Sequence, residues 1–264
     1  MSIIPLSNSI NSVTIENGEL ISFTSGSQEF IHQKVNLGWR KSDDEMFPVI
    51  GPLDKNNYRL ETKKGDGILD QHGLLRELNY QLISHSEKEV VFRKQYSAGD
   101  LVCNSKFPEK SSEEFISWPF DFEFTKHYSL SENQLNIQFT IQSEEGMPFM
   151  LGYHPAFLLA GNEKEILESG SKKITLQEIY EVGSNAFPVL ETNEILLKNE
   201  DKPNVKISTE NFNNFMLWTE VPNMICIEPI TQYTSYTDQK FSEENMRICS
   251  GKESFGVLIE IMDN

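Results

Sequence analysis

Basic residues are scarce in this sequence. Its 264 residues include 23 lysines and arginines against 40 aspartates and glutamates, which gives a formal net charge of -17. A protein that binds nucleic acid neutralises phosphates with a surplus of lysine and arginine, and binding to an anionic membrane surface uses the same surplus. The composition therefore argues against nucleic acid and membranes as partners, and the excess acidity is read as a solubility feature.

Cysteines and long apolar runs are also few. Cys103, Cys226 and Cys249 show no Cys-x-x-Cys spacing, so the sequence predicts neither a disulfide framework nor a zinc site. No apolar run approaches the roughly 20 residues needed to span a bilayer, and residues 1–8 lack the features of a secretory signal. We therefore expect free thiols in a reducing compartment, and a cytoplasmic protein.

Several catalytic motifs are missing as well. There is no Gly-x-Ser-x-Gly elbow, although a Ser-His-Asp arrangement built in another way stays open. The sequence contains neither a Gly-x-Gly-x-x-Gly motif nor a P-loop, which leaves nucleotide chemistry unsupported. No two histidines have the spacing typical of a metal site, so no metal is predicted.

In nearly every segment of the chain, apolar and polar residues alternate with a period of two. The Asn17-Gly18 pair between two such segments is a favoured hairpin turn. The range Leu135–Ile141 alternates apolar and polar residues throughout, and Phe120–Phe124 places three phenylalanines on one face. This pattern is typical of an all-β protein.

Few segments show a helical pattern, and the sequence predicts only one or two helical turns at each of 162–169 and 242–246. We find no internal repeat, low-complexity segment or linker. The length allows one or two domains, but all-β sandwiches of this size are often single units. We predict one domain, residues 1–264, that is mostly antiparallel β and forms a large two-sheet sandwich.

Two of the five histidines lie in positions that suit a functional site. His72 precedes Gly73, where a backbone can come close to a ligand, although spacing alone favours a structural role. His154 follows a strong strand, at the kind of loop end where sites collect, and its role stays open on spacing alone. The other three are predicted to be exposed or hydrogen-bonded at the surface: His32, His85 and His127.

Glu228 stands out among the 40 acidic residues. Ile225-Cys226-Ile227 is an apolar run that should be buried, and Glu228-Pro229 is predicted to end it. A carboxylate at the mouth of a buried strand is unfavourable unless it is paired, hydrogen-bonded or functional. Spacing leaves structural and functional interpretations equally open.

Four short segments are Trp39-Arg40 through Phe47-Pro48-Val49-Ile50-Gly51, then Gln71-His72-Gly73-Leu74-Leu75-Arg76, then Gly152-Tyr153-His154-Pro155-Ala156-Phe157, and Cys226-Ile227-Glu228-Pro229. In their sequences and in their order along the chain, these segments resemble the aldose 1-epimerase (mutarotase) family, and most closely its shorter LacX-like branch. The resemblance implies a large antiparallel β-sandwich of the galactose mutarotase type (a supersandwich) with an open cleft on one concave sheet. It also implies an isomerase that interconverts the α and β anomers of a free hexose without a cofactor.

The same resemblance implies roles for single residues. Glu228 corresponds to the general base, His154 to the general acid, and His72 to a second histidine near the ring oxygen. Pro52 stands where many relatives have arginine, so a polar contact to the sugar or its phosphate is expected to be missing or supplied by another residue. Ile230 stands where they often have tryptophan, so an aromatic wall of the sugar site is expected to be missing. Candidate sugar-binding residues are Arg76, Trp39, Arg40 and Tyr153, with Arg59 as a further replacement for the missing arginine.

The implied reaction needs one base at the C1 hydroxyl and one acid at the ring oxygen. With ordinary pKa values of ~4.3 and ~6.5, Glu228 would be ionised at neutral pH and His154 could donate a proton. We expect the two groups to face each other across a gap one pyranose wide.

Three other functions stay open. The same cleft could bind carbohydrate without catalysis. A glycoside hydrolase usually needs two carboxylates that flank the scissile bond. Besides Glu228, the sequence supplies only Asp70 as a weak candidate for the second carboxylate. A hexose 6-phosphate is a less favoured substrate, because phosphate recognition favours clustered arginine and lysine. The sequence predicts a small-molecule sugar as partner and leaves monomer and homodimer open.

Overall fold

The computed structural model describes residues 2–234, 241 and 245–262. Its regular structure is almost entirely antiparallel β, as the alternation predicts. With strands numbered along the chain, the largest sheet has nine strands. In spatial order these are β18 (Lys172–Thr175), β17 (Ile166–Ser169), β20 (Glu194–Lys198), β21 (Asn204–Glu210), β25 (Lys252–Met262), β13 (Gln134–Ser143), β12 (Phe122–Ser131), β9 (Glu89–Tyr96) and β8 (Gln81–His85).

A second sheet has six strands and packs against the first. Phe139 of the large sheet and Tyr153 of the second are both fully buried, with ring centroids 5.1 Å apart, and one hydrophobic core joins the two sheets. Five strands follow the order β19 (Phe187–Leu190), β22 (Asn214–Trp218), β23 (Met224–Ile230), β15 (Gly152–Tyr153) and β5 (Glu45–Met46), and β16 (Ala156–Leu158) also pairs with β23.

The remaining sheets and helical elements are smaller. A four-stranded sheet comprises β1 (Ile3–Ser7), β2 (Asn11–Glu16), β3 (Glu19–Ser25) and β4 (Gln28–Glu29). Three two-stranded pairs are β6 (Arg59–Thr62) with β7 (Gly65–Ile68), β10 (Val102–Cys103) with β11 (Phe115–Ile116), and β14 (Pro148–Phe149) with β24 (Arg247–Ile248). The helical elements within the described residues include α1 (Leu176–Glu181) and the 3₁₀ turns Asp54–Asn56 and Leu75–Glu77.

The strongest sequence patterns produce the expected elements. In β13 the four apolar residues of Leu135–Ile141 are all buried, and the three phenylalanines of Phe120–Phe124 are buried as well. At the β2–β3 hairpin, Asn17 and Gly18 have φ of 50° and 88°. Positive φ at both central residues is the requirement of the type I′ turn that the Asn-Gly pair predicts.

The weak helical prediction at 162–169 is wrong. Within 162–169, residues Ile166–Ser169 form strand β17, because pairing with β18 on one side and β20 on the other outweighs a weak local pattern. The helix lies instead at Leu176–Glu181, where Thr175 and Glu178 form a capping box. Residues 242–244 of the other predicted turn lie outside the described residues. Among the described residues there is also no helix with the length and apolar character to cross a membrane.

Strand β23 does not end at Glu228, contrary to the sequence expectation. It continues through Pro229 to Ile230. The neighbour on one side of β23 is interrupted: β16 pairs with it up to Cys226, and β15 pairs with it again at Ile230. Residues 227–229 therefore form no ladder pair on that side, which accommodates a proline inside a central strand.

Candidate active site

The interruption between β15 and β16 carries His154, and its side chain meets that of Glu228. His154 Nε2 lies 3.4 Å from Glu228 Oε1. Both residues line one cleft of about 470 Å³ although they are only 8% and 2% exposed. The His72 ring lies 6.1 Å from that of His154 between centroids, and His72 lines the same cleft. The structure thus brings together the three predicted catalytic residues.

The spacing between acid and base differs from the sequence expectation. We expected a gap one pyranose wide, but the two groups are direct neighbours at 3.4 Å. Chemistry accounts for the difference, because the C1 hydroxyl oxygen and the ring oxygen of a sugar are bonded to the same carbon. Two groups that serve these oxygens can therefore stand side by side.

Asp44 holds both His154 and Arg76. Its backbone N–H donates to the His154 carbonyl at 3.1 Å, and its carbonyl accepts from the His154 N–H at 2.8 Å. Its Oδ2 accepts from Arg76 Nε at 3.1 Å and from Nη2 at 2.9 Å. Burial alone would raise the pKa of Asp44, but the charges of Arg76 and Lys41 hold it well below its usual range. Arg76 lines the cleft as predicted, fixed by a charge-assisted contact.

His72 is held by the segment that ends at Gly51. The Gly51 N–H donates to His72 Nδ1 at 3.1 Å, so Nδ1 accepts and a neutral ring carries its hydrogen on Nε2. His72 and Gly73 have φ of 69° and 75°. A Cβ on Gly73 would lie 2.1 Å from the Phe47 carbonyl oxygen. The close approach that we expected toward a ligand is therefore an approach to the backbone of Phe47.

Burial sets the protonation of the pair. Burial, with the nearby charge of Arg76, lowers the pKa of His154 to about 3. Burial raises the pKa of Glu228 well above its usual value, against the opposing charge of Arg76. Burial therefore favours the neutral form of both groups, the uncharged imidazole and the carboxylic acid. The expectation of an ionised Glu228 rests on an ordinary pKa, and burial shifts that pKa upward, in the direction that favours the protonated form.

Two tryptophans flank the imidazole. The Trp39 ring centroid lies 4.4 Å from that of His154 with an interplanar angle of 35°, and Trp218 lies 6.3 Å away at 66°. Trp39 was predicted, and its carbonyl accepts a hydrogen bond of 2.8 Å from Nε2 of His32. His32 is fully buried, so its predicted place at the surface is wrong, because the Trp39 loop covers it.

Trp218 was missed by the sequence analysis, where it ends an ordinary apolar strand. It pairs in register with Cys226, which puts it on the same face of the sheet as Glu228, two residues further along. Ile230 is fully buried, so Trp218, and not position 230, supplies the second aromatic wall. Only the pairing of β22 with β23 reveals this, and the sequence carries no short-range signal for it.

Three predicted sugar-binding residues do not line the cleft. Tyr153 is fully buried and its hydroxyl donates to Asp43 Oδ2 at 2.8 Å, because neighbours in an extended chain point to opposite faces and His154 takes the cleft side. Arg40 is exposed and donates to the Lys34 carbonyl. Arg59 pairs with Glu113 at 3.3 Å. The cleft is lined instead by further polar residues that lie outside any motif or were not assigned a role: Gln71, Lys110, Ser184 and Glu220.

A possible metal-binding set also escaped the sequence analysis. One ligand atom each of His154, Cys226 and Glu228 lies within 4.8 Å of the others, and all three residues are buried. Spacing along the chain could not detect this set, because the strand pairing brings His154 to a strand far from it in sequence.

Comparison with known proteins identifies the family of the chain. The family model for aldose 1-epimerase matches residues 50–245. The chain belongs to the aldose 1-epimerase family. Two curated family relatives, the plasmid and chromosomal LacX proteins of Lactococcus lactis subsp. lactis, are each 24% identical over 136 and 135 residues. These matches cover 49% of this chain and only 40% of each LacX protein.

Solved structures match over the whole chain. A galactose mutarotase related enzyme from Lactobacillus acidophilus superposes with a TM-score of 0.81 at 20% identity, and the match covers 99% of this chain and 98% of that one. A galactose mutarotase-like protein from Lactobacillus casei gives 0.78 at 16% identity, with coverage of 98% and 100%. The predicted fold, an antiparallel β-sandwich of the galactose mutarotase type, is confirmed.

Proposed function

We propose that this protein is an active aldose 1-epimerase that interconverts the α and β anomers of a free hexose. Membership of the family supports the reaction class. The observation that carries the proposal is the 3.4 Å contact between His154 Nε2 and Glu228 Oε1, two proton-transfer groups in one cleft.

In the proposed mechanism the Glu228 carboxylate accepts the proton of the C1 hydroxyl while His154 donates a proton to the ring oxygen. The bond between C1 and the ring oxygen breaks, which leaves an open-chain aldehyde. Rotation about C1–C2 presents the other face of the carbonyl, and the two proton transfers then run in reverse as the ring closes. Each positioned group could contribute roughly 10²–10⁴ in rate.

The pair needs one proton in total at every stage of this cycle. Burial penalises the charged forms of both groups and so favours the proton on Glu228. The 3.4 Å contact gives it a direct route to His154 Nε2, which produces the form that opens the ring. His72, with its hydrogen on Nε2, and Arg76 are the proposed donors to the sugar oxygens.

The cleft supports a free sugar over a hexose 6-phosphate. Its two cationic side chains among the described residues are Arg76, whose charge is balanced by Asp44, and Lys110, which is exposed. Phosphate recognition favours clustered arginine and lysine, and a single arginine with a balanced charge suits a neutral sugar better. Trp39 and Trp218 offer faces on which the apolar side of a pyranose can pack. A cytoplasmic location and a monomer or homodimer stay predictions.

The test is a panel of free and phosphorylated aldoses assayed by exchange NMR for anomer interconversion. We expect a rate enhancement on at least one free hexose and a smaller one on its 6-phosphate. Sugar binding by calorimetry without any enhancement would instead favour a non-catalytic carbohydrate-binding protein. Release of a chromogenic aglycone would point to a glycoside hydrolase.

A further inference from the structure

We propose that His154, Cys226 and Glu228 form a binding site for a thiophilic divalent cation of the Zn²⁺ class at the base of the cleft. The site offers one imidazole nitrogen, one thiol sulfur and one carboxylate oxygen, all within 4.8 Å of one another. Bound there, the ion would occupy the proton-transfer pair and inhibit the reaction. Only this inhibitory consequence rests on the proposed function.

The geometry of the three ligands suits a tetrahedral ion. With zinc bonds of roughly 2.0–2.3 Å, two ligand atoms of one tetrahedral site lie about 3.3–3.6 Å apart. The 3.4 Å between His154 Nε2 and Glu228 Oε1 already meets this requirement. Cys226 and Glu228 are two residues apart on β23 and share a face, which places the sulfur within 4.8 Å of the other two ligand atoms.

The ligand groups have few competing partners. Among the described residues, the polar partner seen for the Glu228 carboxyl group is the imidazole of His154, and Cys226 is a free, buried thiol. Nδ1 of His154 is buried without a hydrogen-bond partner. Cys226 packs in a small buried cluster with Ala156 and Met224 and takes no part in the proposed proton transfers. Cys226 is thus the one ligand of the set without a role in the proposed mechanism, and a bound ion would compete with proton transfer at the other two.

The chemistry of the donors selects the cation. A thiolate with an imidazole favours Zn²⁺ and similar ions over Mg²⁺ and Ca²⁺, which prefer oxygen ligands. Three protein ligands leave a fourth position for water, as in open zinc sites. Binding displaces the proton of the Cys226 thiol and the proton shared by His154 and Glu228, so two protons leave as one dication enters. No change of oxidation state is involved.

Cobalt provides a direct test, because Co²⁺ takes zinc sites and a thiolate ligand gives it a charge-transfer band in the near ultraviolet. The titration uses the full chain carrying Cys103→Ser, which removes the exposed thiol. We expect one Co²⁺ per chain, with a band that Zn²⁺ abolishes and Mg²⁺ does not. Cys226→Ala should eliminate the band, Glu228→Gln should weaken binding at least tenfold, and Cys249→Ala should retain both.

An absent band, or a band that survives Cys226→Ala, would overturn the proposal. Cys226→Ser serves as a second variant, and circular dichroism verifies that each variant is folded. In the anomerase assay, Cys226→Ala should keep the basal rate and need at least tenfold more Zn²⁺ for half-inhibition. A cobalt band in a protein without anomerase activity would refute the proposed function and support the metal site. Anomerase activity without a cobalt band would support the proposed function and refute the metal site.

Discussion

Asp44 and His154 exchange two backbone hydrogen bonds, of 3.1 and 2.8 Å, while the carboxylate of Asp44 binds Arg76 through two nitrogens. One residue thereby fixes the main chain of the proposed acid and the side chain of the guanidinium beside it. Asp44 itself does not reach into the cleft that His154, Glu228 and Arg76 line. It is a positioning residue.

Asp44→Asn should therefore impair the reaction indirectly. Hydrogen bonds to charged groups contribute roughly 1.5–3 kcal/mol each, so we expect kcat/KM to fall about tenfold or more as Arg76 loses its anchor. The main-chain bonds to His154 are kept, and the fold should persist with a lower melting temperature. Asp66→Asn, at an exposed position, is the control and should match the wild type. An unchanged kcat/KM in Asp44→Asn would show that Arg76 needs no anchor.

Glu228→Gln and His154→Ala should each slow anomer interconversion at least about tenfold, because a positioned acid or base supplies roughly 10²–10⁴ in rate. Glu228→Gln keeps the size of the side chain in its buried position. Exchange NMR or polarimetry on glucose and galactose measures the rate, and melting curves verify the fold. Wild-type rates in both variants would refute the assigned roles.

The pH dependence should reflect a pair that shares one proton. The second proton binds only near the lowered pKa of His154, about 3, and the shared proton leaves only above the raised pKa of Glu228. Loss of a proton from an ordinary imidazolium should therefore not shape kcat/KM, corrected for uncatalysed mutarotation, around ~6.5, the ordinary value for histidine. A basic limb centred there would mean that an ordinary imidazolium supplies the working proton.

The parts of the fold that the sequence predicts well are those in which one face is buried. Leu135–Ile141 alternates because one side of β13 faces the core, and the Asn17-Gly18 turn needs only its two residues. Elements of this kind can be predicted from the local sequence without knowledge of tertiary contacts. The strand at Ile166–Ser169 is different, because its hydrogen-bonding partners on both sides decide its conformation.

The site was only partly predictable for the same reason. His72, His154 and Glu228 were identified through the family resemblance, since spacing alone left their roles open. Trp218 and Cys226 reach the site through the register of β22 and β23, which no short motif encodes. Tyr153 was misassigned because adjacency in a motif was taken for a shared location, whereas alternation turns it into the core.

Gly73→Ala should damage both the fold and the site. A Cβ there would lie 2.1 Å from the Phe47 carbonyl oxygen, which itself accepts hydrogen bonds from Leu74 and Leu75. The backbone must therefore move, and His72 moves with it. Gly146→Ala is the matched control, because its φ is also positive at 94° but no atom lies within 4 Å of the added Cβ. It should lose only about 1–2 kcal/mol, the penalty of the left-handed conformation.

We expect Gly73→Ala to lose more unfolding free energy than Gly146→Ala, and to be the only one of the two with a reduced kcat/KM. Urea unfolding and the anomerase assay measure the two quantities on the same preparations. Equal losses of unfolding free energy in Gly73→Ala and Gly146→Ala would show that the backbone at Phe47 moves aside at little energetic expense. The position of His72 would then not depend on that backbone.

Lys126 is a buried cation that pairs with two buried carboxylates. It is fully buried, and its Nζ lies 2.7 Å from Asp43 Oδ2 and 2.6 Å from Glu45 Oε1. Lys126→Met would fill the volume but leave two buried carboxylates without this partner. Removing one member of a buried ion pair destabilises by roughly 3–5 kcal/mol, so we expect a loss of that size in urea unfolding near neutral pH.

The loss should shrink as the pH falls, and this separates charge from packing. Without Lys126, burial raises the pKa of the two carboxyl groups in the folded state above their unfolded values. Groups of that kind contribute stability at low pH that disappears as the pH rises through the folded pKa. Lys126→Met should thus differ less from the wild type at mildly acidic than at mildly alkaline pH, whereas Lys164→Met, in an exposed pair with Glu200, should change little at either. A deficit independent of pH would mean that the lost packing of the lysine stem, and not its charge, accounts for the effect.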